Sequence, residues 1–437
     1  MKRICSLILI CVFLFSGCGS GTSSDMFAVP EMPEMQSRLI ETVESVLGGG
    51  FDYSEPRSGL NRQPLQLMDL DGDGEEEGIA FLRDIQETFK TFIYIFENGE
   101  DGFVLFDIIE GSENELYTVS YSDVLGENGY EIIVEWGDNG DGSRPVTGYD
   151  LGDGAAETLL EISAHPYSVS DIDGDGGNDF LAVVKRGERF YADVYTVSGE
   201  KLEKRSSAPL ASGNGKILRI KTGMITPGKN GVFIERENGD GVITDVIAYG
   251  KDGFVNLLPD GDICVTRAAC ADVTGDGVLE IPKETERNAL RGVTNRTYRW
   301  STVAENGSLI PSAFTYHSYS EGWYLLLPTS WSGSVYASRS VTRAGEIEIS
   351  FTTRELMQGD TDEAIEAPLF SLYILTGGSR EAYAAEEGRF IVAEREDRIF
   401  VAEIESESYL ATKIDEAFIK SALKNIESEW FSEISFG

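Results

Sequence analysis

Short apolar runs alternate with glycine-rich turns along most of the chain. The run at residues 92–96 precedes the turn ENGEDG, the run at 194–197 precedes SGEK, and the run at 246–249 precedes GKDG. Apolar runs of this length between turn-forming residues are typical of β-strands. The 48 glycines fit the same pattern, because tight turns between strands consume glycine. The pattern therefore predicts a mainly β protein.

These strands belong to a longer repeat. The sequence DLDGDGEEE begins at Asp69, DIDGDGGND at Asp171 and DVTGDGVLE at Asp272, which are 102 and 101 residues apart. Half of that spacing predicts two further copies, and altered ones occur there: DVLGENGYE begins at Asp123, and MITPGKNGVFIE, at 224–235, lacks the acids. Five units of about 50 residues, each with about four strands, predict a β-propeller of about five blades. A β-solenoid is the alternative, although its repeats are usually shorter.

Segments of a different character flank the repeats. Residues 35–47 place Leu39 and Val43 on one face of a helix that ends at three glycines, and we expect this helix to pack against the propeller. Helix and propeller form a predicted domain at residues 35–312. Beyond it, several strands and an amphipathic segment at 412–431 predict an antiparallel sheet closed by a helix, an α+β sandwich domain at residues 313–437.

The N-terminus has the pattern of an export signal at residues 1–18. Two basic residues precede an apolar run at 4–15, which is too short for a stable membrane span, and the ending LFSGC reaches Cys18. That ending resembles a bacterial lipobox, and the resemblance implies that Cys18 becomes the lipidated first residue of the mature protein. An ordinary cleaved signal is the alternative. The protein is then expected on the outer side of the bacterial cytoplasmic membrane, with residues 19–34 as a flexible tether.

The charge balance narrows the range of partners. The chain has 75 acidic and 36 basic residues and a formal net charge of −39. Such a field repels phosphate backbones, which argues against a nucleic-acid partner, and it attracts cations. Most of the acids are expected on a solvated surface, but those of the repeats recur at fixed positions.

The acids at these fixed positions of the repeat have the chemistry of a calcium site. Calcium prefers about six to eight oxygen ligands, several of them charged, in a flexible cage. Alternating carboxylates on a tight glycine-containing turn direct their oxygens to one point, whereas the alternatives are a turn without an ion or a magnesium site. The predicted ligands are Asp69, Asp71, Asp73, the carbonyl of Glu75, and Glu77 in the first loop; Asp171, Asp173, Asp175, the carbonyl of Gly177, and Asp179 in the second; and Asp272, Thr274, Asp276, the carbonyl of Val278, and Glu280 in the third.

The loop pattern resembles a known repeat family. An EF-hand needs an acid at its twelfth position and flanking helices, and these loops have neither. The pattern instead resembles the FG-GAP or VCBS repeat of integrin α-chain propellers and bacterial surface proteins, over about residues 60–312. The resemblance implies a calcium loop between two strands of each blade. Because Leu125 replaces a ligand in the second unit and the fourth has lost its acids, we expect no tightly bound ion in either.

A second resemblance concerns the C-terminal domain. The stretch GWYLLLPTSW, at 322–331, resembles the start of PsbP-like sandwich domains found in bacterial lipoproteins. Outside the leader the cysteines are Cys264 and Cys270. We expect buried free thiols there, with a disulfide across a turn as the alternative.

The sequence contains no motif for a catalytic nucleophile or a phosphate-binding loop. His165 and His317 are its only histidines, and each is expected to be structural. The sequence therefore favours a non-enzymatic, calcium-binding surface lipoprotein that binds a protein or a glycan, or serves in the cell envelope. The alternative is a calcium-assisted polysaccharide hydrolase or lyase, since paired carboxylates can perform glycosidic chemistry.

Overall fold

The described residues of the computed structural model form 30 strands and three α-helices, which confirms the prediction of a mainly β protein. The leader with Cys18, the tether as far as residue 33, His165 and the side chain of Cys264 lie outside the described residues. The structure describes residues 34–47, 50–86, 88–99, 102–113, 115–126, 129–137, 139–152, 154–164, 166–199, 201–239, 241–264, 268–285, 297–356, 364–409 and 412–426.

A helix and three antiparallel sheets follow one another in the first half of the chain. The helix α1 spans Glu34–Leu47. Sheet 1 contains β1 (Phe51–Tyr53), β2 (Leu65–Met68), β3 (Glu77–Asp84), β4 (Thr91–Gly99) and β5 (Gly102–Glu110); sheet 2 contains β6 (Leu116–Ser122), β7 (Glu131–Trp136), β8 (Arg144–Gly152) and β9 (Ala155–Ala164); and sheet 3 contains β10 (Tyr167–Ser170), β11 (Asp179–Arg186), β12 (Arg189–Ser198) and β13 (Lys201–Pro209).

Two further sheets continue this series. In sheets 2 to 4 the strands pair in chain order, apart from β18, which pairs with β16. Sheet 4 contains β14 (Ile217–Thr226), β15 (Lys229–Asn238), β16 (Gly241–Gly250), β17 (Gly253–Asn256) and β18 (Asp262–Cys264), and sheet 5 begins with β19 (Ile281–Glu284), β20 (Thr297–Val303), β21 (Leu309–Ser318) and β22 (Trp323–Leu327).

Consecutive sheets pack face to face through shared hydrophobic cores. Along β11, Phe180 and Ala182 face the core shared with sheet 2, whereas Leu181 and Val183 face the core shared with sheet 4. Side chains alternate between the two faces of a strand, so a strand buried on both faces needs a continuous apolar run. The same alternation gives sheet 1 a core with sheet 2, and sheet 4 a core with sheet 5. The repeats thus form a series of layered sheets.

The outer face of sheet 1 packs against α1. Leu39 and Val43 of the helix are fully buried against Ala80 and Leu82 of β3, as the helical pattern predicted. Gly78 permits this contact, because a Cβ there would lie 2.4 Å from a methyl of Leu39. Among the described residues, no hydrophobic core joins sheet 1 to sheet 5.

The predicted domain boundary after residue 312 falls inside β21. This strand pairs with β20 and β22, so residues 313–327 complete sheet 5 rather than beginning a separate sheet. A sixth sheet then packs on the outer strands of sheet 5 through Phe314, Tyr316 and Trp323. Sheet 6 contains β23 (Val335–Arg343), β24 (Glu346–Leu356), β25 (Ala364–Thr376), β26 (Arg389–Glu394) and β27 (Arg398–Ile404), with α2 (Arg380–Ala384) before β26.

The helix predicted at residues 412–431 is shorter in the structure. After the small ladder of β28 (Ser408–Tyr409) and β29 (Thr412–Lys413), α3 spans Glu416–Ala422, and Asp415 caps it by accepting the Phe418 N–H at 2.9 Å. The chain then continues as β30 (Leu423–Asn425), which pairs with β22. Strand pairing therefore overrides the helical pattern there, and residues 427–437 lie outside the described residues.

Candidate metal sites

The three acidic loops occupy the same place in sheets 1, 3 and 5. Loop 1 (residues 69–77) joins β2 to β3, loop 3 (171–179) joins β10 to β11, and loop 5 (272–280) leads into β19. The altered copies lie at the matching connections, because loop 2 (123–131) joins β6 to β7 and turn 4 (226–229) joins β14 to β15. The sequence period thus predicted five structurally equivalent connections.

The first aspartate of each acidic loop holds the turn in shape. In loop 1, Asp69 Oδ1 accepts the Gly72 N–H at 2.8 Å and Oδ2 accepts the Gly74 N–H at 3.1 Å. Both glycines are left-handed, with φ of 77° and 92°, a conformation that favours glycine. Asp171 in loop 3 and Asp272 in loop 5 each accept the corresponding two glycine N–H groups. The turn is therefore formed by the protein itself.

Each acidic loop brings three carboxylates together. In every loop, one oxygen from each of three acids lies within 4.8 Å of the other two. Calcium–oxygen distances are about 2.3–2.6 Å, so oxygens at this separation can share one ion. Because the donors are charged oxygens with neither sulfur nor imidazole among them, the set suits a hard cation such as calcium. The grouped acids are Asp69, Asp71 and Glu77; Asp171, Asp173 and Asp179; and Asp272, Asp276 and Glu280.

The last acid of each loop is buried. Glu77, Asp179 and Glu280 are 3%, 4% and 0% exposed, and each accepts the backbone N–H of the second loop residue at 2.7–3.0 Å. Burial, as the largest cause, and the neighbouring aspartates together raise the pKa of Glu77 and of Glu280 to about 7 and that of Asp179 to about 6. A bound cation would favour the ionised form instead.

Some predicted ligands lie outside the three groups of carboxylates. Asp73 and Asp175 are not in the grouped sets, and their carboxylates accept the N–H groups of Glu75 and Gly177. The Thr274 hydroxyl donates to Glu280 Oε1 at 2.9 Å, which places it beside the closing carboxylate. The carbonyls of Glu75, Gly177 and Val278 stay predicted ligands.

Arg205 is a contact that the sequence did not predict. Its Nη1 lies 3.3 Å from Asp173 Oδ2 in loop 3, and it comes from β13, 32 residues further along the chain. A guanidinium at this position competes with a metal ion for the same oxygen. Nothing in the spacing of the loop acids identifies such a neighbour.

Loop 2 keeps the framework of the acidic loops, but Leu125 stands where loops 1 and 3 have Asp71 and Asp173. The Val124 and Leu125 N–H groups donate to the carboxylate of Glu131, and Asp123 Oδ1 accepts the Gly126 N–H at 2.7 Å. Glu131 is 2% exposed, and its burial raises its pKa to about 7. Loop 2 is therefore a natural reference for the acidic loops.

Neighbouring loops also bond to one another. Loop 2 donates a hydrogen bond to a backbone carbonyl of loop 1, and loop 3 donates one to loop 2. The strand after turn 4 donates to a carbonyl of loop 3, and loop 5 donates to the end of β14, just before turn 4. The five connections thereby form a continuous row along one edge of the sheets. The bonds run from Tyr130 N to Leu70 O (3.1 Å), from Asn178 Nδ2 to Asp123 O (2.6 Å), from Asn230 Nδ2 to Asp171 O (2.8 Å) and from Leu279 N to Met224 O (2.9 Å).

His317 and Cys270 are buried in the structure. The His317 ring is fully buried against Tyr298, Trp300 and Tyr324, and burial lowers its pKa to about 3. Cys270 is a buried free thiol. No helix in the described part of the chain has the length and apolarity needed to cross a bilayer.

Comparisons with known proteins give no family. No family model and no curated protein matches the chain. Similar solved structures include the rhamnogalacturonan lyase YesW, with 15% identity over 69% of this chain and 61% of that chain and a TM-score of 0.35. The Dos1 propeller is 10% identical over 80% of this chain and 81% of that chain, with a TM-score of 0.32. A protein of unknown function from Desulfotomaculum acetoxidans is 13% identical over 70% of this chain and 90% of that chain, with a TM-score of 0.30. All three TM-scores are low.

Calcium is expected to raise the melting temperature of the protein by several degrees over a chelator, because an ion that binds the folded state stabilises it. Glu77→Gln keeps an acceptor for the Leu70 N–H but removes a charge from loop 1, so it should lose one bound ion and part of this rise. The matched control is Glu131→Gln in loop 2, which should change neither the number of bound ions nor the rise in melting temperature. Calorimetric titration and thermal unfolding measure both effects. Unaltered calcium binding in Glu77→Gln would contradict loop 1 as a site.

The stabilisation by calcium is expected to increase with pH. The raised pKa values of Glu77 and Glu280, about 7, mean that the calcium-free folded state holds more protons than the unfolded chain above about pH 4.5. Its stability therefore falls as pH rises toward 7, while calcium favours the ionised carboxylates. The difference in melting temperature between calcium and chelator should be larger near pH 7.5 than near pH 5. An equal difference at both pH values would refute this account.

Proposed function

We propose that the chain is an exported, lipid-anchored calcium-binding protein whose five sheets act as the blades of a propeller-type binding module. Ions at loops 1, 3 and 5 stabilise the module, and its ligand is a protein or a glycan. The observation that carries the proposal is the equivalent grouping of three carboxylates at three of the five matching connections.

The row of loops supports a structural role for the ions. Each acidic loop places three like charges close together, which costs free energy in the absence of a cation. Calcium removes that repulsion, and the free energy of ion binding becomes free energy of folding. Since neighbouring loops are hydrogen-bonded to one another, an ion in one loop restrains the next loop as well. Calcium would thus stiffen the whole edge.

A binding role fits the chemistry of the site better than catalysis. The buried carboxylates of the loops are engaged by backbone N–H groups, and the described histidine is buried among aromatic rings. Neither arrangement presents a general base to a substrate. The alternative is a calcium-assisted polysaccharide hydrolase or lyase, and it differs from our proposal in one observable, product formation.

We expect the calcium-loaded protein to retain a glycan or protein ligand on an array without releasing products. Acidic and neutral polysaccharides are then incubated with the protein, and reducing ends and unsaturated products are measured. Chelation should weaken retention, because it loosens the loop edge. Heat-denatured protein is the control. Product formation at the rate of a turning-over enzyme would support the hydrolase or lyase instead.

Lipid anchoring is expected to depend on Cys18. In a bacterial host, Cys18→Ser should move the protein from the detergent phase to the aqueous phase of a detergent extraction, because the acyl chains that bind the membrane are lost. The control is Cys11→Ser, a change within the predicted leader that leaves the acceptor in place. Mass spectrometry of the N-terminal peptide measures the lipid directly. Cys18→Ser protein that stays in the detergent phase would contradict the proposal.

A further inference from the structure

A polar cavity lies between the first strands of sheets 2, 3 and 4. It has a volume of about 1030 Å³, and its lining includes residues of β6, β10 and β14. None of the grouped carboxylates of the loops contributes to the lining, so the cavity is a different site from the loops. Its volume is that of a small-molecule or short-oligomer site, about 300–1,000 Å³.

The charge of the cavity is opposite to that of the chain. Four basic residues, Arg144, Lys185, Lys216 and Arg219, contribute to its lining, and one of them, Arg219, is paired with Glu235. The acids in the lining are Glu135 and Asp141, and both accept hydrogen bonds from protein groups. In a chain with a net charge of −39, a local excess of positive charge is unexpected from composition. It indicates an anionic ligand.

Arg144 has spare hydrogen-bonding capacity at this surface. Its guanidinium carbon lies 3.6 Å from the centre of the Tyr117 ring, which holds the side chain in place. Its Nε is buried without a hydrogen-bond partner. No carboxylate of the described residues lies within ion-pair distance of Arg144, Lys185 or Lys216. A carboxylate ligand would bind the terminal nitrogens of Arg144, which make no hydrogen bond to the described residues.

Arg219 supplies a second unsatisfied donor. The residue is 9% exposed. Its Nε donates to Glu235 at 2.7 Å and its Nη2 donates to the Cys270 carbonyl at 2.5 Å. Its Nη1, by contrast, has no partner among the described residues. Because this nitrogen is buried, Arg219 forms part of the cavity wall, and Arg144, Lys185 and Lys216 offer the charged groups that a ligand can reach.

Hydroxyl groups and tyrosine rings complete the lining. Ser120 bonds Tyr167 at 2.7 Å between β6 and β10, and Ser168 bonds Thr222 at 2.8 Å between β10 and β14. Hydroxyls both donate and accept, which suits the hydroxyls of a sugar, and tyrosine rings give an apolar face with a polar edge. The volume exceeds what a single small anion needs. The net negative charge of the chain at the same time disfavours a long polyanion.

We infer that this cavity binds a short oligosaccharide that carries carboxylates, with Arg144 as the principal contact to a carboxylate. The inference names a ligand class for the binding role proposed above and rests on that role. It does not require an ion in the loops, since no member of the grouped carboxylates lines the cavity. The two proposals can therefore fail separately.

The test is a calorimetric titration of the full-length protein with trigalacturonate and with its methyl ester, which lacks the charges. Wild-type protein should bind the acid, and the ester should bind at least about tenfold more weakly, because charge-assisted hydrogen bonds are the stronger ones. Arg144→Gln should lose at least about tenfold in affinity for the acid. Arg83→Gln, an exposed arginine of β3 outside the cavity, is the matched control and should bind as the wild type does.

Two further arms make the result decisive. Lys216→Gln, at an exposed position of the lining, should also weaken binding, and thermal unfolding checks that each variant is folded. The titration is repeated in chelator, below the melting temperature, so that calcium bridging by the ligand is excluded. Equal binding of acid and ester, wild-type affinity in Arg144→Gln, or no binding of the acid by folded protein would overturn the inference. Binding that persists without any stabilisation by calcium would support the cavity and overturn the role of the loops.

Discussion

In sheets 1, 2, 3 and 5 a buried carboxylate closes the loop at one edge, and the rest of that edge depends on it. The four acids stand at or beside the start of the strand that follows the loop and accept backbone N–H groups from that loop; they are Glu77, Glu131, Asp179 and Glu280. An acid at this depth must be protonated, hydrogen-bonded or matched by a cation. All four loops show the second of these solutions, and our proposal adds the third in loops 1, 3 and 5. The carboxylate therefore fixes the shape of the turn.

The hairpins are not independent of one another. Each loop or its adjoining strand contributes a hydrogen bond to a neighbouring unit, and each pair of consecutive sheets shares a hydrophobic core below that edge. A disturbance at one loop therefore acts on a polar row and an apolar core together. Nearest-neighbour coupling of this kind is typical of repeat proteins, in which stability is shared along the series. An ion in alternate loops would suffice to restrain every interface between them.

The sequence predicted the parts of the fold that repeat. The interval between Asp69, Asp171 and Asp272 located all five connections, including the two without a full acid set, because the turn and the buried strand after it persist there. It did not predict the end of sheet 5, since strand pairing and not composition decides that β22 belongs to it. Nor did it predict the shorter α3, whose helical pattern continues into a segment that pairs with β22. Long-range pairing is invisible to local periodicity.

The features of the candidate sites likewise divide into those within one loop, which the sequence predicted, and those between sheets, which it did not. The carboxylates that group in space were identified from their spacing, because a tight turn fixes their positions within one loop. Arg205, the bonds between loops and the basic cavity were not identified, since each joins residues of different sheets. A basic residue within an acidic chain carries no signal in the sequence until the fold places it beside others. The structure was needed for every feature that arises between sheets.

Loop 2 separates what the scaffold needs from what the ion needs. It has kept Asp123, a glycine and Glu131, which close the turn by hydrogen bonds to the backbone, and Leu125 stands where loops 1 and 3 have an acid. The corresponding Asp71 of loop 1 is exposed, so its loss leaves no buried group unsatisfied and costs the fold little. The closing carboxylate cannot be lost so easily, because two backbone N–H groups would lose their acceptor. Central acids that the fold does not need are therefore consistent with the cation that we propose for loops 1, 3 and 5.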